Sequence, residues 1–221
     1  MTTSSSELLD LTGKVAIVTG GSRGIGRSIA KTFAVHGAEV VITSRKLDSC
    51  RDTVEEIIEA GGTAHPIAAH MGNLDDIEEL VLATQKVFGG IDIIVNNAAN
   101  PLMKGVGEIT PEAWEKAINT NLRGPVFLVQ HALPYLEKST GASIINILSN
   151  AAYMYAAHHL LYPVAKSGLE AATRSMAAQL ASSGIRVNAL VPGTVDTDMV
   201  RAMPETFQKA SAKASLLGRA A

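Results

Sequence analysis

Short runs of β-branched and apolar residues recur along this chain and alternate with longer stretches of helical period. The runs are Val15–Val18, Val40–Ile42, Ile91–Val95, Ile144–Ile147 and Arg186–Leu190, with a weaker one over Thr63–Ala68. Between them lie helical patterns at roughly 24–36, 47–60, 74–88, 111–138 and 160–183. Strands that read as nearly continuous apolar runs, separated by helices, predict a parallel sheet covered on both faces. No repeat, low-complexity block or internal linker interrupts the alternation. The pattern therefore predicts a flexible polar tail over residues 1–10 and one doubly wound α/β domain over 11–221, with at least six parallel strands. In such a sheet ligands bind outside the carboxyl ends of the strands, so the informative residues are those that follow strands.

Composition narrows the classes of function. The chain has 221 residues, 47% of them hydrophobic and 18% charged, which suits one well-buried domain. A formal net charge of -2 gives no general attraction to nucleic acid or to an anionic membrane. The single cysteine, Cys50, excludes an internal disulfide and a cysteine-based metal cluster, and fits a reducing compartment. No apolar run reaches membrane-spanning length, and the N-terminus lacks a basic region followed by an apolar core. The expectation is a soluble cytoplasmic protein. His158-His159 has no further ligand at metal spacing, so no metal site is expected.

After the first strand comes Thr19-Gly20-Gly21-Ser22-Arg23-Gly24-Ile25-Gly26, followed by a helix. Glycines at 20, 24 and 26 permit a tight turn, close backbone approach to a pyrophosphate and close helix–strand packing, with the helix N-terminus facing the anion. Glycine also serves ordinary turns; it is the place between first strand and first helix that makes this one a dinucleotide-binding candidate. No Gly-Lys-Ser/Thr follows, which argues against a P-loop nucleotidase. The second strand ends in Thr43-Ser44-Arg45-Lys46. An acidic residue there would bond the adenosine ribose 2′-hydroxyl, whereas this chain offers Ser44 and two cations, joined by Arg23 from the glycine-rich loop. Guanidinium groups pair with phosphate dianions, so NADP(H) is favoured and NAD(H) stays open. The other reading is a solvated basic loop.

Tyr162 and Lys166 open the helical run 160–183 and, four residues apart, share one face. Pro163 is tolerated only in the first turn, which places the phenol near the helix start. An ammonium about 4 Å from the phenol is worth up to roughly 4 kcal/mol at an effective dielectric near ~20, about 3 pKa units downward before desolvation. A tyrosine so biased is a general acid or base near neutral pH. Taken alone, the pair reads as readily as a half-exposed tyrosine beside a solvated lysine.

Taken together, Thr19-Gly20-x-x-x-Gly24-x-Gly26, Asn96-Asn97-Ala98-Ala99, Asn121, Ser149, Tyr162-x-x-x-Lys166 and Pro192-Gly193 resemble the short-chain dehydrogenase/reductase family, classical type. The likeness runs from Leu11 to about Ala221 and points to its carbonyl-reductase-like or 3-oxoacyl-reductase-like branch. It implies a Rossmann fold and an oxidoreductase that moves hydride between a nicotinamide and a ketone, aldehyde or matching alcohol. By resemblance, Tyr162 is the general acid/base, Ser149 bonds the substrate oxygen, and Lys166 lowers the Tyr162 pKa and holds the nicotinamide ribose. Asn121 would hold a water linking Lys166 to solvent. Gly20, Ser22, Arg23, Gly24, Ile25, Gly26, Ser44, Arg45 and Lys46 would contact the cofactor, as would Asn97, Ala98 and Ala99 beneath it. His70 and Met71 fall at the adenine position, where relatives carry an aspartate and an apolar residue. Pro192, Gly193, Val195 and Thr197 fall beside the carboxamide. Relatives usually have glycine where Ala99 stands.

The substrate side is less determined. Its expected walls are Pro101–Gly107, Asn150–Leu161 and the segment after Thr197. There Met199, Met203 and Phe207 recur every four residues, which predicts one apolar helix face, either a lid over an apolar substrate or ordinary packing. The resemblance leaves a 3-oxoacyl-thioester reductase, a sugar dehydrogenase and a non-catalytic cofactor-binding subunit as alternatives. It also implies a homotetramer or homodimer through the helices at 111–138 and 160–183, whose stripe Leu169, Ala172, Met176, Leu180 reads equally as core. Relatives usually continue beyond the Leu216–Arg219 region, so the C-terminal end is expected to be incomplete and the sixth strand to have a bare edge.

Overall fold

The computed structural model describes residues 9–154, 159–215 and 218–221. Six strands form one parallel sheet: β1 Val15–Thr19, β2 Glu39–Ser44, β3 Thr63–Ala68, β4 Ile93–Asn96, β5 Ser143–Ile147 and β6 Arg186–Leu190. Their spatial order is β3-β2-β1-β4-β5-β6. The chain leaves β1 for β2 on one side, reaches the β3 edge, then crosses back to lay β4 against the other side of β1. This reversal opens a crevice at the carboxyl ends of β1 and β4, where a ligand can enter.

Register shows why the strands read as apolar throughout. Ala16 and Val18 enter one core layer, with Val40, Ile42, Val95 and Ile147. Ile17, between them, enters the opposite layer, with Val41, Ile94, Ile144 and Val187. Alternate side chains face opposite sides, and both sides are covered, so every position is apolar. The first layer is roofed by helices α1 (Gly24–Val35) and α2 (Leu47–Glu59) through Ala30, Ala34, Val54 and Ile57. The second is roofed by α3 (Leu74–Phe88) and α5 (Gly124–Leu136), through Ile77, Leu80, Leu128 and Leu136. Pro66 is accommodated because β3 is an edge strand.

The expected continuous helix over 111–138 is interrupted. Helix α4 (Pro111–Ile118) passes into a π-helical turn, Asn119–Arg123, before α5 begins at Gly124. Asn121 supplies the reason: its amide donates to Ala117 O (2.8 Å) and Asn100 O (2.9 Å) and accepts from Asn100 N (2.9 Å). The turn widens so that a side chain of the helix can hold the loop after β4.

Helix α6 (Leu161–Leu180) starts with Tyr162 and Pro163 in its first turn, as the sequence requires, and Val164 N closes that turn on Leu160 O (3.1 Å). The stripe considered for assembly turns inward. Leu169 is fully buried, and Met176 and Leu180 pack against the second core layer. The methionine-bearing segment is also not one helix. Short α7 (Asp198–Arg201) and α8 (Glu205–Ala214) are separated by a turn at Ala202–Met203 and Pro204. On the other edge of the sheet β6 has no outer neighbour among the described residues, and Leu190 and Val191 stand 50% and 40% exposed. Of the other expectations, residues 1–8 of the tail, residues 155–158 of the expected wall Asn150–Leu161 with His158 among them, and Leu216 and Leu217 lie outside the described residues.

Candidate active site

A cleft of about 1340 Å³ runs along the carboxyl ends of the strands. It is lined by nearly all the residues singled out from the sequence, from Gly20 and Arg23 at one segment to Ser149, Tyr162, Lys166 and Thr197 at others. Gly26 and Asn121 do not line it and act from behind.

The glycine-rich loop is held by a two-way latch that the motif alone does not reveal. Thr19 Oγ1 accepts from Asn97 N and Ala98 N, both at 3.0 Å, and donates to Val95 O at 3.2 Å. Asn97 returns the contact, its amide donating to Thr19 O (2.8 Å) and Gly20 O (3.2 Å). The turn can pass this close only without side chains: a Cβ on Gly26 would stand 2.4 Å from both Gly20 O and Asn97 Nδ2, and Gly20 has a φ of +64°. Asn97 is therefore spent on tying β1 to β4, leaving Ala98 and Ala99 to form the floor. Arg23, the residue before α1, offers no side-chain cap, so the first amides of α1 face the cleft without a side-chain acceptor.

At the end of β2, Ser44 Oγ donates to Lys46 O (3.2 Å) and touches Cys50 Sγ (3.1 Å). Arg23, Arg45 and Lys46 are exposed, line the cleft and have no ion-pair partner among the described residues. By contrast Arg27, one turn along, is bound to Glu56. The glycine turn, the uncapped helix start and three unpaired cations together fit the pyrophosphate and adenosine half of a nicotinamide dinucleotide.

Both adenine-side residues line the cleft and are also tied into the chain around them. His70 reaches the cleft, but its Nδ1 accepts from Gly72 N (2.9 Å) and its own N–H donates to Asp76 Oδ2 (2.8 Å), so it shapes its own loop. Met71 is 5% exposed and belongs mainly to the core beneath.

At the end of β5 the three reactive groups meet. Ser149 follows the strand and caps the 3-10 turn Asn150–Ala152, accepting from Ala151 N (3.2 Å). Lys166 is 1% exposed, and its ammonium donates to Ile147 O at 2.6 Å and stands 5.7 Å from the centre of the Tyr162 ring. Among the described residues no carboxylate accompanies it. Burial pushes the Lys166 pKa down to about 8. The expected depression of the phenol is not found. Burial raises the Tyr162 pKa above the usual phenol value, and the bond to Ser149 offsets part of that rise. The lysine spends its short contact on the strand carbonyl, so desolvation of the phenol dominates.

Behind this group lies a buried network that sequence reasoning passed over. Asn96 Nδ2 donates to Asn146 Oδ1, and Asn146 Nδ2 to Thr173 Oγ1, both at 2.8 Å. Asparagines at the ends of two adjacent apolar strands were the available signal. The bonds fasten α6 to β5 one residue from the carbonyl that holds Lys166. On the other side the Pro192–Thr197 loop is anchored by Asn150 N to Pro192 O (3.1 Å), and Thr197 approaches Gly24.

Comparison with known proteins agrees with this geometry. Residues 14–208 match the short chain dehydrogenase family. The chain is 36% identical over 192 residues to human dehydrogenase/reductase SDR family member 4, covering 86% of this chain and 69% of that protein. A dehydrogenase/reductase from Sinorhizobium meliloti 1021 superposes with a TM-score of 0.91 at 34% identity, over 96% of this chain and 84% of that one. The RhlG/NADP active-site complex of Pseudomonas aeruginosa gives a TM-score of 0.89 at 30% identity, over 96% and 86%. With a parallel six-stranded sheet, a glycine-rich crevice and these relatives, the chain belongs to the short-chain dehydrogenase/reductase family and is an NAD(P)-dependent oxidoreductase.

Proposed function

We propose that the protein is an NADP(H)-dependent reductase of ketones or aldehydes, reversible as an alcohol dehydrogenase. The observation that carries the reading is that Ser149 and Tyr162 line one cleft with a buried ammonium, Lys166, 5.7 Å from the centre of the phenol ring. Preference for NADP(H) is supported by the unpaired Arg23, Arg45 and Lys46 and by the absence of a carboxylate at Ser44.

When bound, the nicotinamide supplies or accepts the hydride. The chain's own residues manage the oxygen. Ser149 Oγ and the Tyr162 hydroxyl orient the carbonyl, and Tyr162, protonated at neutral pH, donates as charge grows on that oxygen. Lys166 stabilises the phenolate left behind and, with a pKa of about 8, can return a proton to it. Asn121 has both amide hydrogens committed to protein carbonyls, so in this reading it positions the loop through Asn100.

Assembly as a homodimer or homotetramer and work in the cytoplasm belong to the same proposal. The second is supported by the buried, unpaired Cys50. Among the described residues no helix is long and apolar enough to cross a membrane. The test is a fluorescence titration with NADPH and NADH, followed by carbonyl reduction by the wild type and Tyr162→Phe. Tighter NADPH binding and a variant that binds but does not reduce are expected. Unchanged reduction by the variant would remove Tyr162 from its role.

A further inference from the structure

Four methionines from three separate segments line this cleft, none of them among the residues expected to contact the cofactor. Met103 comes from the loop after β4, Met154 from the segment after the 3-10 turn, and Met199 and Met203 from α7 and the turn beyond it, with Phe207 of α8 beside them. Two of these regions are braced by hydrogen bonds. Leu160 N donates to Lys104 O (2.9 Å), tying the loop after β4 to the start of α6. Gln208 Nε2 donates to Arg201 O (3.1 Å) and Met203 O (2.8 Å), locking α8 onto the end of α7.

Met103 and Met154 remain 36% and 56% exposed, an unfavourable state for large apolar side chains that converge on one cleft. Methionine is unbranched and polarisable, fits irregular shapes and makes favourable contacts with aromatic rings. The charges nearby stay in water: Asp198 lies 3.7 Å from Arg201, both more than half exposed, and Lys116 and Arg219, which also line the cleft, are exposed. Among the described residues the one buried charge lining the cleft, Lys166, is committed to Ile147 O, and no other waits for a carboxylate or phosphate on the substrate.

We infer that the site takes uncharged ketones or aldehydes with a bulky apolar body, aryl or alkyl, and tolerates variation in the shape of that body. The inference rests on the reductase reading above and names its substrate class.

The test is NADPH-dependent reduction of 2-butanone, 2-hexanone, 2-octanone and acetophenone, with acetoacetate compared against 2-pentanone. Each two-carbon extension should raise kcat/KM by about tenfold. Acetoacetate should fall at least about tenfold below 2-pentanone, because its carboxylate meets an apolar wall. Met154→Gln/Met203→Gln should lose more on 2-octanone than on 2-butanone. A second readout does not depend on turnover: acetophenone should slow peroxide oxidation of Met199 and Met203 in the NADP+-saturated protein, where no reduction can occur, followed by mass spectrometry. A flat series, a preference for acetoacetate or unprotected methionines would overturn the apolar assignment while leaving the reductase standing. Reduction of no carbonyl with either cofactor would overturn the reductase reading itself, and this inference with it.

Discussion

The ammonium of Lys166 lies 2.6 Å from the carbonyl oxygen of Ile147, and that carbonyl is the last of strand β5. The sheet thus holds the cation in place before any ligand arrives. A charge fixed this deeply is costly, because burial penalises the charged form and lowers its pKa to about 8. The folded chain releases this proton near pH 8, the unfolded one near 10.5. The buried charge therefore destabilises the fold below pH 8, and the penalty is relieved as pH rises from about 8 towards 10.5.

Lys166→Met should accordingly raise unfolding free energy at pH 7 while abolishing turnover. Loss of the ammonium removes up to about 3 kcal/mol of penalty, offset by about 1 kcal/mol for leaving Ile147 O without its donor. The net gain, about 1–2 kcal/mol, should shrink as pH rises through 8–10. Urea unfolding of both proteins at pH 7 and pH 10 measures it. A variant less stable than wild type at pH 7 would refute the account.

Tyr162→Phe should lower kcat for carbonyl reduction by about 10²–10⁴-fold with little change in NADPH affinity. Since burial raises the phenol pKa, the proton needed for reduction is present throughout the neutral range. Alcohol oxidation needs the phenolate and should climb with pH where reduction does not. Initial rates in both directions from pH 6 to pH 10 separate the two limbs.

Arg45→Ala and Arg23→Ala should each weaken NADPH binding by about tenfold and leave NADH binding nearly unaltered, the value of a charge-assisted bond at an exposed site. Ser44→Asp should go further and invert the preference, because it places a carboxylate where the 2′-phosphate would lie. Equal losses for both dinucleotides in all three variants would assign these residues to general attraction only.

How much of this was legible beforehand differs from element to element. The strands were legible because β1, β4 and β5 are buried on both faces, so sequence and environment agree at every residue. The Tyr162–Lys166 pair was legible because helical spacing fixes which side chains are neighbours. The sign of the phenol shift was not, since it depends on desolvation and on where Nζ points, neither of which spacing determines. The π turn at Asn119–Arg123 was hidden for a related reason. Its cause is a contact with Asn100, twenty-one residues away from Asn121, and local propensity carries no information about it. Likewise Pro204 is a visible helix breaker, yet Met199, Met203 and Phe207, spaced by four across it, read as one face until the turn between α7 and α8 is seen.

Gly26→Ala should be among the most damaging small substitutions in the chain. The added methyl would meet Gly20 O and Asn97 Nδ2 at 2.4 Å, and neither can move without opening the latch between Thr19 and Asn97. A loss of about 1–3 kcal/mol is expected, with weaker binding of both dinucleotides. Thermal unfolding with and without NADPH measures both effects at once.

Asn121 gives the sharpest chemical contrast. Its Nδ2 donates to two carbonyl oxygens, Asn100 O and Ala117 O, while Oδ1 accepts from Asn100 N, and the residue is fully buried. Asn121→Ala leaves these backbone groups unsatisfied and should cost about 2–4 kcal/mol, with the π turn free to relax to an ordinary helix. Asn121→Asp keeps size and shape but replaces two donors by a second acceptor facing carbonyl oxygens. At pH 7 the buried carboxylate should destabilise at least as much as alanine, although it preserves packing. Burial raises the pKa of such a carboxyl, so protonation restores one donor as pH falls from 7 to 5 and the aspartate variant should recover relative to the alanine variant. Parallel urea titrations of the two variants at pH 5 and pH 7 decide this. If the gap between them does not change, the amide's donors are not what holds the Asn100 loop and the floor of the cleft in place.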